Sequence, residues 1–122
     1  SLLPLTPETR GILNTKVFKS LARDGHVPAP SLINAGRGGL QIEDDILTCL
    51  DDGTLHEAVL DVFQKEPLSA ESRLWSHPRV TITPHNASVS APHAIGRAIA
   101  SQINELENGG KLVNRVFRQR GY

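Results

Sequence analysis

Short apolar runs, each closed by proline or a polar turn, alternate along this chain with longer segments of helical period. Few folds accept that alternation. The runs are "SLLPL" (1–5), "SLIN" (31–34), "EAVLDVF" (57–63) and "RVTITP" (79–84). Between the first two, Asn14 can cap a helix carrying Val17, Phe18 and Leu21. A second helix places Ile42, Ile46, Leu47 and Leu50 on one face, and its first turn holds Glu43, Asp44 and Asp45, where the helix dipole favours negative charge. Gly53 ends it. A last helix sets Ile95, Ala98, Ile99, Ile103 and Leu106 along one stripe and stops at "NGG". "EAVLDVF" is apolar at both parities, as a strand covered on both faces should be. The order strand, helix, strand, helix, strand, strand, helix predicts an α/β fold with a mainly parallel, doubly wound sheet and helical crossovers. Such sheets usually have about five or six strands. Fewer are present here and "SLLPL" reads as a clipped one, so the expectation is part of a larger sheet.

Charge and composition narrow the function. The 122 residues balance 13 basic against 13 acidic side chains, which argues against a nucleic-acid or membrane-surface partner. No apolar run approaches a membrane span, and no signal-peptide pattern is visible. The single cysteine, Cys49, has no internal disulfide partner and falls in a helix as a packed thiol. These features predict a soluble, cytoplasmic protein. The chain lacks methionine and opens on apolar, structured-looking residues, so it is expected to be a piece of a longer one.

"LINAGRGGL" (32–40) is the most unusual stretch. A dinucleotide loop reads G-x-G-x-x-G, with glycines that let backbone approach a pyrophosphate. Gly36 and Gly38 fit its first two places, but Gln41 occupies the third. Two other readings fit these residues: small residues clear space for Arg37, whose guanidinium can hold a carboxylate by two parallel hydrogen bonds, or this is an ordinary glycine-rich turn.

In parallel sheets, ligands bind beyond the carboxyl ends of the strands. That rule selects Arg37 after "SLIN", Glu66 after "LDVF" and His85 after "TITP". The three suit a 2-oxo acid. Arg37 can clamp the carboxylate and polarise the ketone. His85 can protonate the ketone oxygen as hydride reaches carbon. Glu66 can hold the other ring nitrogen and favour the imidazolium.

"LPLTPETRGILN", "INAGRGGLQIEDDIL", "LDVFQKEPL" and "ITPHNAS", in this order, resemble the NAD(P)-dependent D-2-hydroxyacid dehydrogenases. "LWSHPRVTITPH" and the terminal "RGY" are most similar to the bacterial glyoxylate/hydroxypyruvate reductase A branch of that family. The resemblance implies a Rossmann-like fold, with residues 1–88 as the C-terminal half of the NAD(P)-binding domain. It also implies that residues 89–122 form a terminal helix and tail returning to a substrate domain. It assigns Arg37 to substrate binding, His85 to acid/base chemistry and Glu66 to supporting the histidine. Asp61 matches the carboxylate that contacts the nicotinamide carboxamide. Leu3, Pro4 and Thr9 match the loop over the cofactor ribose, and Ala35 and Gly36 match backbone near the nicotinamide. On this reading the glycines of "AGRGG" give room beside the nicotinamide. NAD or NADP is the implied cofactor, a small 2-oxo or 2-hydroxy acid the implied substrate, and a homodimer the expected state of the intact parent. The family's G-x-G-x-x-G would lie upstream, so the 122 residues alone are expected to turn over little or nothing, as a non-catalytic piece that folds or associates.

Two stretches depart from the family pattern. "LARDGHVPAPSLIN" is longer than the usual loop before this strand, and Asn86 stands where an apolar residue is common, which leaves the surroundings of His85 open. His26, His56, His77 and His93 show no tight ligand spacing, and a metal set of Glu66, His85 and His93 is weak, so no metal is expected. Trp75 is expected to be a packing anchor, with a substrate-pocket role as the minority reading.

Overall fold

A computed structural model describes residues 1–119. The "RGY" resemblance, at 120–122, lies outside the described residues. The chain divides into two compact units, Ser1–Ala87 and Ser88–Tyr122.

The first unit contains helices α1 (Thr15–Ser20) and α2 (Glu43–Asp51) and strands β1 (Leu32–Asn34), β2 (Ala58–Leu60) and β3 (Val80–Ile82). All pairings are parallel, in the order β1-β2-β3. The register aligns Asn34, Leu60 and Ile82, so the three strands end level and their following loops leave from one edge. Single-turn 3₁₀ helices lie at Gly38–Leu40 and Arg73–Trp75.

Local chemistry accounts for the helices. The Asn14 side chain accepts from the Val17 N–H at 3.2 Å, capping α1 as its sequence predicts. Asp45, in the first turn of α2, accepts from the Thr15 N–H at 2.8 Å and ties the two helix starts together. Ile46, Leu47 and Leu50 of α2 pack with Phe18 of α1 and with Leu32, Ala58 and Leu60 of the sheet in one buried cluster. Gly53, at φ 79, takes the left-handed position just past α2.

Three expectations need correction. "SLLPL" forms no strand. Ser1 pairs with β1 in the parallel manner, its backbone nitrogen donating to the Ile33 carbonyl at 2.6 Å and its carbonyl accepting from the Ala35 N–H at 3.2 Å. Thr6 and Thr9 then close a side-chain-bonded turn that bends the segment away. "EAVLDVF" supplies only three strand residues, because β1 turns off at Ala35 and removes the edge that Val62 and Phe63 would need. The sheet is covered well on one face only: Ile33, in the outward row with Val59 and Thr81, is 59% exposed.

Gly38 is where two loops touch. A Cβ at this position would stand 1.8 Å from the Phe63 carbonyl oxygen, a backbone atom with no rotamer to escape into. Gly38→Ala is therefore expected to destabilise the protein by about 1–3 kcal/mol, the usual cost of forced overpacking. Gly96, inside the last helix with nothing near its Cβ direction, is the control: Gly96→Ala is expected to stabilise by about 0.5–1 kcal/mol. Urea-unfolding midpoints of the two variants check both signs.

The second unit is led by α3 (Pro92–Glu107), with proline in its first turn and Asn108 and Gly109 at its end. Its predicted stripe is exposed, with Ile95, Ile99, Ile103 and Leu106 at 45%, 55%, 52% and 57%. Leu112 and Val113 flank a shallow groove along it.

Candidate active site

Each candidate side chain stands past a strand end. β2 runs into Asp61 and then a loop through Phe63 to Glu66, and β3 runs through Thr83 and Pro84 to His85. The two loops bring Glu66 and His85 together, with His85 Nδ1 and Glu66 Oε2 2.8 Å apart. Glu66 Oε1 accepts from the Phe63 N–H at 3.0 Å, so the carboxylate is held at both oxygens. A carboxylate at Nδ1 calls for the proton on that nitrogen and leaves Nε2 as the ring atom for a substrate. Both side chains remain open to solvent, 52% and 38% exposed. His85 and its partner hydrogen bond, followed by the Phe63 N–H, hold the Glu66 carboxyl below its ordinary value.

His85 itself adopts φ 52, a left-handed backbone that a residue with a Cβ rarely takes. Asp61 holds that turn. Its Oδ1 accepts from the Thr83 hydroxyl and from the Asn86 N–H at 3.0 Å, and its Oδ2 accepts from the Ala87 N–H at 3.0 Å. Asp61 is buried, 4% exposed, and these donors, the Thr83 hydroxyl first, hold its carboxyl below the ordinary value.

Depressed carboxyls tie stability to pH. For Asp61 and Glu66 the folded state binds protons less readily than the unfolded chain. Their contribution is present above the ordinary values of 3.8 and 4.5 and is lost as pH falls through the lowered folded values. The melting temperature is expected to hold from neutrality down to about pH 5 and then to fall. Asp61→Asn is expected to melt lower at neutral pH and to show a shallower acid limb. Melting curves between about pH 7 and pH 2 read both effects.

Arg37 follows β1. It is exposed, and its Nη1 donates to its own neighbour's carbonyl, Gly36 O, at 2.8 Å. Among the described residues it makes no ion pair with Glu66 or His85. Of the other sequence-predicted residues, Leu3, Pro4 and Thr9 lie in the segment before α1, and Ala35 and Gly36 follow β1. Thr9 Oγ1 donates to the Pro4 carbonyl at 2.8 Å, and a Cβ on Gly36 would stand 3.0 Å from the Leu3 carbonyl. At Gly38 the Phe63 backbone takes the space a Cβ would need, so glycine is required there, and at Gly36 the Leu3 backbone and the Leu40 side chain lie close to the same direction.

Beside the Glu66–His85 pair lies an open cavity of about 630 Å³ with Phe63, Leu68, Trp75 and Ile82 on its apolar side. Trp75 is 55% exposed on this wall and not a buried anchor. Its Nε1 donates to the Ser69 carbonyl at 2.9 Å, which fixes the ring at the surface. The residues missed by sequence reasoning are Thr83, which holds Asp61, and the buried amides Asn34 and Gln41. The one signal for Gln41 was a polar residue between Leu40 and Ile42. Among the described residues no group of three or more His, Cys, Asp or Glu is placed to hold a metal ion.

Residues 1–87 match the family described as D-isomer specific 2-hydroxyacid dehydrogenase, NAD binding domain. Solved structures agree. An NADPH-dependent glyoxylate/hydroxypyruvate reductase from Sinorhizobium meliloti, in complex with NADP and sulfate, is 52% identical over 99% of this chain and 38% of its own, with a TM-score of 0.95. A probable 2-hydroxyacid dehydrogenase from Rhizobium etli CFN 42, in complex with NADP, HEPES and L(+)-tartaric acid, is 49% identical over 99% and 38%, with a TM-score of 0.91. A D-isomer specific 2-hydroxyacid dehydrogenase from Xanthobacter autotrophicus Py2, with NADPH and MES, is 39% identical over 99% and 48%, with a TM-score of 0.88. The chain spans less than half the length of each of these relatives. With its parallel sheet and helices, and with most of its length inside the family match, this chain belongs to the D-isomer specific 2-hydroxyacid dehydrogenases, in their NAD-binding domain.

Proposed function

We propose that the protein carrying this chain reduces glyoxylate or hydroxypyruvate to the corresponding 2-hydroxy acid, of D configuration where the product is chiral, using NADPH or NADH. The observation that carries this reading is the 2.8 Å Glu66–His85 pair, set beside a cavity at the carboxyl edge of the sheet. Arg37 follows the neighbouring strand β1, and its guanidinium would turn from the Gly36 carbonyl to meet the substrate.

The residues present fit one end of a nicotinamide dinucleotide. Gly36 lets the Leu3 backbone come close, and Thr9 donates to the Pro4 carbonyl, so this segment is held against the turn that follows β1. Asp61 uses three acceptor positions internally, and a carboxylate offers about four, which leaves one on Oδ2 for a carboxamide N–H. Leu3, Pro4, Thr9, Ala35, Gly36 and Asp61 would hold the ribose and nicotinamide. The group supplies, when bound and reduced, a hydride equivalent to the ketone carbon.

The chain's own residues do the rest. Arg37 holds the substrate carboxylate by two parallel N–H···O bonds and orients the ketone. His85, protonated, gives the Nε2 proton to the ketone oxygen as charge develops there, which yields the alcohol and a neutral ring. Glu66, anionic at neutral pH, keeps Nδ1–H in place and stabilises the imidazolium before transfer. In the reverse direction neutral His85 takes the alcohol proton at Nε2.

Residues 1–88 are assigned to the cofactor domain, and 89–122 to a helix and tail that return to a substrate domain through the exposed stripe of α3. The intact parent is taken to be a cytoplasmic homodimer. No helix among the described residues is long and apolar enough to cross a membrane. Initial-rate assays with glyoxylate and hydroxypyruvate, using NADPH and NADH in parallel, test the activity. Saturable, substrate-dependent oxidation of either nucleotide is the expected result. Its absence with both acids and both nucleotides would sink the reading.

A further inference from the structure

Gln41 and Asn34 are both wholly buried, at 0% exposure, and join two loops that sequence alone keeps far apart. A buried amide is costly unless its donors and acceptors are matched. Here they are. Asn34 Oδ1 accepts from the Gly36 N–H at 3.1 Å, and Asn34 Nδ2 donates to the Arg37 carbonyl at 3.2 Å and to Gln41 Oε1 at 2.8 Å. Gln41 Nε2 donates to the Val62 carbonyl at 2.9 Å. Both amide orientations follow from chemistry: Gly36 offers only a donor here, which turns the Asn34 oxygen towards it, and Val62 offers only an acceptor.

The network therefore has one arrangement and two ends. One end brackets Arg37 through the backbone groups of Gly36 and Arg37. The other holds Val62, next to Phe63, whose N–H bonds Glu66. Gly38, in the bracketed loop, lies against the Phe63 carbonyl so closely that a Cβ would stand 1.8 Å away. Glu43 adds a tie from α2, its Oε1 accepting from the Gln64 N–H at 2.7 Å. An apolar side chain would fill the Gln41 position without specifying either loop.

We propose that Gln41 is a positioning residue that locks the Arg37 loop to the Glu66 loop, so that the substrate-binding and proton-transfer groups share one geometry. The catalytic part of this statement rests on the proposed function. The locking itself does not.

The test uses the full-length gene product carrying this chain, with Gln41→Met, which keeps the volume and removes the amide. KM for glyoxylate is expected to rise about tenfold or more, as a loop misplacement of ångström scale does, with kcat changed less than about threefold and the NADPH dissociation constant nearly unchanged. In an Arg37→Ala background the same substitution is expected to add nothing to KM. Amide hydrogen exchange is expected to quicken in both loops, at Gly36 and at Phe63, with Ile46 and Leu50 in the core unmoved. KM unchanged, an equal loss in substrate and cofactor binding, or faster exchange in one loop alone would overturn the proposal. If wild type shows no turnover, the proposed function fails, and exchange still decides whether the loops are locked. If Gln41→Met does not fold, wild-type exchange decides: Gly36 and Phe63 opening as one unit supports the lock, and independent opening refutes it.

Discussion

Replacing His85 by alanine is expected to lower kcat for glyoxylate reduction by about 10²–10⁴, the range lost with a positioned acid. KM is expected to move far less. The ring makes its partner bond to Glu66 through Nδ1, so its other nitrogen is the group available to the reacting oxygen. Without it the proton for the reacting oxygen is expected to come from solvent. Folding should survive the change. His85 is half exposed, and the turn around it is held by Asp61, Thr83 and the Asn86 and Ala87 N–H groups rather than by the ring. Steady-state rates for wild type and His85→Ala, with melting temperatures alongside, separate lost chemistry from lost structure. A kcat within a factor of about three of wild type would remove His85 from the mechanism.

Arg37→Ala is expected to act mainly on substrate binding, and strongly. Hydrogen bonds to charged groups contribute about 1.5–3 kcal/mol each, so losing a two-bond clamp should lower kcat/KM by about 10²–10³ or more. Arg37→Lys is expected to recover only a small part, because a single ammonium cannot reproduce the planar fork. Stability should hardly change: the side chain is exposed and its one bond goes to the adjacent Gly36 carbonyl. The KM of each variant for glyoxylate and for hydroxypyruvate, with cofactor affinity as control, reads the effect. A KM that stays put would mean that the carboxylate is held elsewhere.

Much of the fold around this site is legible in the sequence. Ile46, Leu47 and Leu50 recur at helical spacing behind three acidic residues, and they form the buried face of α2. Asn14 stands where a cap is needed, and it caps. Arg37, Glu66 and His85 each follow a strand-like run; the loops after β2 and β3 bring Glu66 and His85 to 2.8 Å, while the Arg37 side chain bonds the Gly36 carbonyl. What escaped depends on partners distant in sequence. Gln41 meets Val62, and Asp61 meets Thr83, each across about twenty residues, and no local pattern announces either pair. Gly38 reads as space for a ligand, whereas its Cβ direction is filled by the Phe63 backbone, 25 residues on, which no local pattern announces. Trp75 reads as core by its size, yet its indole N–H is tied to Ser69 and keeps it at the surface. β2 reads too long because strand propensity runs on where its neighbouring strand does not.

The most direct test of hydride reduction at this edge is isotopic. The gene product carrying this chain would be given hydroxypyruvate and NADPH, with NADH in parallel, each deuterated at the transferring face of nicotinamide carbon 4. One deuterium is expected at carbon 2 of the product, in a single D configuration, and in His85→Ala the same label is expected to arrive about 10²–10⁴ times more slowly. Product without the label at carbon 2, or a racemic product, would contradict it.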